Sequence, residues 1–118
     1  MPRVPSKGDG RRSVGAEIVM RVHRVRAEVV VAACDADLIG RELPVGTKGR
    51  TVPVTAFFYG ERKVSEEELV WALKRATTAN LLGPKVLAIA TEAGFVGPEG
   101  IGELGGVPHA EIFAMSVE

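Results

Sequence analysis

Cys34 and His109 are the side chains in this sequence whose types fit nucleophilic chemistry. A thiol within hydrogen-bond reach of an imidazole forms an ion pair with a reactive thiolate, and Asp35 or Asn80 would orient the ring. Thr77 and Thr78 add hydroxyls in a stretch that is otherwise apolar. Together Cys34, Thr77, Thr78, Asn80 and His109 make one candidate ligand pocket. Against a nucleophile stand the neighbours Val31-Ala32-Ala33, the setting of a small residue that packs. No cysteine-enzyme signature surrounds Cys34, so no catalytic residue is assigned. Metal chemistry is excluded on ligand number. Asp35-Ala36-Asp37 offers two carboxylates, too few for calcium, and His23 and His109 have no partner at zinc-ligand spacing. No metal or other cofactor is expected. Gly97 to Gly102 is glycine-rich, but no Gly-Lys-Ser/Thr follows, so it is not a phosphate loop.

A second set of residues fits nucleic acid. Arg21 and His23 fall on the polar side of an alternating segment, and Arg24 and Arg26 follow at its end. Phe57, Phe58 and Tyr59 offer rings for base stacking if they are exposed. Basic groups beside aromatics on a sheet suit single-stranded RNA. The charge distribution agrees. The net charge is zero, yet residues 1–26 carry a net plus five and residues 92–118 a net minus five. Clustered arginines attract phosphates. An exposed cluster of Phe57, Phe58 and Trp71 would instead favour docking on a protein partner.

The elements that must position these groups follow from periodicity. Ile18, Met20 and Val22 alternate with Glu17, Val19, Arg21 and His23, a half-buried strand. Glu28 to Cys34 is a nearly continuous β-branched and small apolar run, a central strand covered on both faces. The two form an antiparallel hairpin over 17–34. Asp35 is placed to cap a helical turn through Ile39, with Gly40 as its stop. Pro53 assigns 50–56 to an edge or a bulge, because it lacks an amide donor. Ser65 and Glu68 form a capping box, which starts a helix over 65–79. Gly83-Pro84 starts a second helix over 84–93. Thr77 to Gly83 is the break between them, so the two form an αα-hairpin. Gly105-Gly106 permits positive φ, and Pro108 fixes the approach of His109 to a last strand ending near Val117.

With 118 residues the chain fits one domain, and no apolar run reaches bilayer length. Residues 1–15 are a basic, Pro- and Gly-bearing arm expected to be disordered. They contain no apolar export core, and a single cysteine makes no internal disulfide, so a cytoplasmic location is expected.

The blocks Glu28-Val29-Val30-Val31-Ala32-Ala33-Cys34-Asp35, Leu38-Ile39-Gly40, Phe58-Tyr59-Gly60, Ala76-Thr77-Thr78-Ala79-Asn80-Leu81-Leu82-Gly83 and Gly105-Gly106-Val107-Pro108-His109-Ala110 resemble archaeal family 424 of the domains of unknown function. The resemblance covers about residues 17 to 117. It implies a small archaeal intracellular protein linked to RNA or translation, and it assigns no catalytic residue. The arm 1–15 and the longer loop from Pro44 to Gly49 depart from the family's pattern.

The resulting expectation is a single α+β domain over 16–118, a mainly antiparallel sheet with a two-helix hairpin on one face. Leu69, Leu73, Val86, Leu87 and Ile89 would pack on Val29, Val31 and Ile112. Its expected role is non-catalytic binding of RNA or a ribonucleoprotein through Arg21, His23, Arg24 and Arg26.

Overall fold

The computed structural model describes residues 17–113. The expected arm 1–15 and the end of the expected last strand, 114–117, lie outside them. Strands β1 (Ile18–Val25) and β2 (Glu28–Asp35) form the anticipated hairpin, paired from Ile18 with Asp35 to Val25 with Glu28. Its two-residue turn contains Arg26 at φ 58°, a left-handed conformation that costs a side-chain-bearing residue free energy.

After β2 the chain makes a 3₁₀ turn, Ala36–Leu38, and a separate two-stranded ribbon of β3 (Glu42–Val45) and β4 (Arg50–Pro53). Pro53 is therefore on an edge, as its missing amide requires. One helical turn, α1 (Ala56–Tyr59), follows, with the Thr55 hydroxyl accepting from the Phe58 amide at 3.2 Å. Then come β5 (Lys63–Val64), α2 (Glu66–Leu73), β6 (Thr78–Leu82), α3 (Pro84–Glu92), β7 (Gly102–Leu104) and β8 (Val107–Ile112). The predicted capping box starts α2. Ser65 Oγ accepts from the Glu68 amide at 3.1 Å, and Glu68 Oε1 accepts from the Ser65 amide at 3.2 Å. The Gly105-Gly106 turn joining β7 to β8 has φ of 60° and 82°, which glycine adopts without a Cβ penalty.

Six strands make one sheet in the order β5-β1-β2-β6-β8-β7. Its pairs are antiparallel except β2 with β6, which run parallel from Val30 with Thr78 to Cys34 with Leu82. The fold is α+β and mainly antiparallel. The expected αα-hairpin is corrected. The first helix ends at Leu73 rather than 79, and strand β6 separates it from α3. Thr77 to Gly83 is not a helix break but the strand at the centre of the sheet. Leu81 and Leu82 are both buried because β6, like β2, is covered on both faces. Parallel pairing requires a long crossover, and α2 lies in it.

Both helices do pack on one face. There Leu69, Leu73, Val86 and Leu87 meet Val31, Ala33 and Leu81, with Ile89 and Ile112 at the margin. The segment 36–60 covers the other face, where Leu38, Leu43, Val54 and Tyr59 lie on Val19, Ala32, Cys34 and Leu82. Burial of these two apolar layers is the main force holding the sheet. Among the described residues no helix is long and apolar enough to cross a membrane.

Candidate functional site

Cys34, Leu82 and His109 occupy one row across β2, β6 and β8. Leu82 therefore stands between the thiol and the imidazole, which are two strand spacings apart, about 10 Å. Cys34 is fully buried. Burial, then the charges of Asp35 and Asp37, push its thiol up to about 12. A nucleophilic cysteine needs the opposite shift. Cys34 is a packing residue here.

Asn80 lies one row along the same face, opposite Glu111. Its Oδ1 accepts from the Tyr59 hydroxyl at 2.7 Å, and its Nδ2 donates to Glu111 Oε2 at 3.1 Å. The amide thus ties α1 to the centre of the sheet. Burial raises the Tyr59 phenol above its ordinary value. Thr77 is also engaged. Its hydroxyl accepts from the Val29 amide at 2.9 Å and contacts Glu28 Oε1 at 2.8 Å, extending the β2–β6 ladder by one residue. Thr78 is half-buried opposite Val30. Asn80 and His109 do face the same side of the sheet. A cleft of about 250 Å³ at the start of α3 is lined by Asp35, Arg41, Lys85 and the Gly106–Pro108 turn, and takes in neither.

Asp35 has a role that its immediate neighbours do not disclose. It makes no side-chain cap to the turn that follows it, contrary to the expectation. Its carboxylate crosses to α3, where Oδ2 accepts from the Lys85 amide at 3.1 Å and Oδ1 from the Val86 amide at 3.0 Å. Lys85 Nζ lies 3.8 Å away. At 2% exposure Asp35 is the buried charged residue of the described chain. Burial raises its pKa, while the two helix amides and Lys85 pull it down. Gly83 lies so close that a Cβ there would meet Asp35 Cγ at 2.5 Å.

The basic set is arranged differently. Arg21, Arg24 and Arg26 are exposed on the β1–β2 hairpin, and His23 is half-buried. Alternation puts Arg21 and His23 on the face that carries α1, and Arg24 on the helix face. The His23 ring stacks on Phe58 with centroids 5.2 Å apart and planes at 20°. Its Nε2 lies 2.7 Å from the Phe58 carbonyl, so this nitrogen carries the hydrogen. Phe58 in turn meets Tyr59 edge to face at 4.8 Å. Arg21 reaches the Ala56 carbonyl at 3.5 Å. These contacts fasten α1 over β1 and leave Phe57 turned out, 83% exposed. The expected aromatic trio thus divides: Phe57 in solvent, Phe58 stacked, Tyr59 in the core. Trp71 is 61% exposed, with the Arg75 guanidinium 3.8 Å over its ring, on the opposite side of the sheet from Phe57. The Phe57–Phe58–Trp71 cluster therefore does not form.

Fold and site together define a small α+β domain in which one turn of helix clamps an exposed aromatic beside a basic hairpin. The chain belongs to the family described as Protein of unknown function (DUF424), whose model matches residues 23–115. It is similar to the crystal structure of an uncharacterized conserved protein from the archaeon Methanopyrus kandleri. The TM-score is 0.74 and the identity 30%, covering 87% of this chain and 96% of that one. No curated protein matches the chain.

Proposed function

We propose that the protein binds single-stranded RNA, or a ribonucleoprotein through its RNA, in the cytoplasm and without catalysis. The observation that carries this reading is the exposed Phe57 ring held beside Arg21 and the stacked His23–Phe58 pair. A base stacks on Phe57, and Arg21, Arg24 and Arg26 contact phosphates along the hairpin. Base–aromatic stacking contributes about 1–3 kcal/mol per base. Three phosphate contacts give log K against log salt a slope of about −2 on a single strand. The pocket reading has weaker support, because Cys34, Thr77 and Asn80 are already occupied by packing and internal hydrogen bonds.

Fluorescence anisotropy of the full chain with a labelled oligouridylate tests the proposal. Binding is expected to weaken with salt along that slope. Phe57→Ala is expected to remove about 1–3 kcal/mol. Reversing the charges with R21E, R24E and R26E should abolish binding. Absence of binding at low salt, or a triple variant that binds as well as the parent, refutes it.

A further inference from the structure

Strand β5 pairs with only the first part of β1, Ile18 with Val64 and Val19 with Lys63, and the last bond is the Met20 amide to the Arg62 carbonyl at 3.3 Å. There the chain turns away at Gly60, whose φ is 88° and whose Cα lies against the Met20 carbonyl. In an antiparallel strand the amide and carbonyl of alternate residues point to the same edge. Met20 points toward β5, so Val22 and Arg24 point the same way. Among the described residues nothing pairs with their two amides and two carbonyls. Beside this edge, on the helix face, is a cleft of about 450 Å³ formed by Met20, Val22, Arg62, Glu67, Trp71 and their neighbours. Val22 is 38% exposed there and Trp71 61%.

We propose that the open edge of β1 at Val22 and Arg24 accepts an extended acidic segment of a partner protein, added as a strand antiparallel to β1. The four backbone groups supply its hydrogen bonds, and the register supplies its side-chain pattern. The residue opposite Val22 shares its face, so an apolar side chain enters the Trp71 cleft. The residue opposite Arg24 lies on the same face, and the residue opposite Arg21 lies on the other. A carboxylate suits both. The segment therefore reads acid, any residue, apolar, acid. A second copy of this chain does not fit. Pairing two β1 edges about His23 places Arg24 beside Val22 of the second copy and gathers Arg21, Arg24 and Arg26 from both chains, and like charges across strands repel. The surface is distinguishable from the RNA reading although Arg21 and Arg24 belong to both, because backbone pairing protects amides that side-chain phosphate contacts leave open.

The test is amide hydrogen exchange of the full chain, followed by NMR, with a nonapeptide containing Glu-Thr-Val-Glu. The control peptide carries lysine in place of both glutamates, and oligouridylate is the second comparison. The acidic peptide is expected to slow exchange at Val22 and Arg24 at least tenfold. Trp71→Ala and Arg24→Glu, both at exposed side chains, should each weaken binding about tenfold with an unchanged melting temperature. Equal binding of the lysine peptide overturns the proposal. So does binding without protection of Val22 and Arg24, no binding at millimolar peptide, or the same protection produced by oligouridylate.

Discussion

Asp35 and Gly83 are expected to behave as one unit in stability measurements. Asp35→Ala removes the acceptor for the Lys85 and Val86 amides, the first free donors of α3. The cap and the unpaired donors are the same two amides, and losing their acceptor costs about 1–2 kcal/mol at an exposed helix start and up to about 3 kcal/mol where the donors stay buried. A loss of about 3 kcal/mol is expected, or about 12 °C in melting temperature for a domain of this size. Asp35→Asn keeps one acceptor oxygen but turns an NH₂ toward the other helix amide, so about 2 kcal/mol is expected. Gly83→Ala fails for two reasons. Gly83 has φ 116°, which costs an alanine about 1–3 kcal/mol. Its new methyl would also strike the Asp35 side chain, Cγ at 2.5 Å and Cβ at 2.9 Å. Most of that collision disappears when the carboxylate is gone. The double variant should therefore be more stable than the sum of the single losses by at least about 1 kcal/mol. Urea denaturation followed by far-ultraviolet circular dichroism on the four chains measures the cycle. Strict additivity within about 0.5 kcal/mol would refute the reasoning, since independent sites add to that precision.

Three further outcomes are expected. Cys34 holds its proton to about pH 12 in the folded chain against 9.0 as the ordinary value. The folded state binds the proton more tightly, so its contribution is intact below pH 9 and is lost as pH rises toward 12, with a slope of about 1.4 kcal/mol per pH unit. Cys34→Ala should flatten that alkaline decline in denaturation midpoints, and an equally steep decline would count against the assignment. Arg26→Gly relieves the left-handed φ of 58° and should raise stability by about 1 kcal/mol in the same assay; a loss would show that the turn depends on the arginine side chain. Asn80→Ala strips the Tyr59 hydroxyl of its acceptor and should cost about 1–3 kcal/mol. It should also loosen α1 enough to weaken RNA binding, a drop that Tyr59→Phe should partly reproduce in anisotropy titrations.

Strands β1 and β2 were legible because their side-chain patterns are local. Alternation marks the half-buried β1, and the unbroken run Val29 to Cys34 marks a strand covered on both faces. The Gly-Gly turn and the Ser65 capping box were legible for the same reason, since each is closed by residues within four positions. Strand β6 was not. Thr78-Ala79-Asn80-Leu81-Leu82 places a polar residue mid-strand because Tyr59 and Glu111, far away in sequence, satisfy it. With those partners invisible, Asn80 reads as a helix breaker. Asp35 misled similarly. Its type signals a cap, but the first helix amide it binds, that of Lys85, lies 50 positions later rather than in the turn that follows it. Of the candidate site, the basic residues were readable, while the exposure of Phe57 depends on α1 being fastened by His23 and Asn80. A short apolar-aromatic run does not disclose which of its rings faces water.

The parallel pairing of β2 with β6 has a kinetic consequence. Val29 and Thr77, which begin that ladder, are 48 positions apart. Closing a loop of that length costs about 3.4 kcal/mol of chain entropy beyond a constant. The β1–β2 hairpin closes through two residues and the β7–β8 hairpin through two glycines, so these two pairs assemble locally, whereas β5 reaches β1 only by the long-range pairing of Val64 with Ile18. The middle must wait for the whole segment 36–77 to find its two faces. The sheet therefore starts from two local hairpins, and joining them at its centre waits on long-range closures that slow folding.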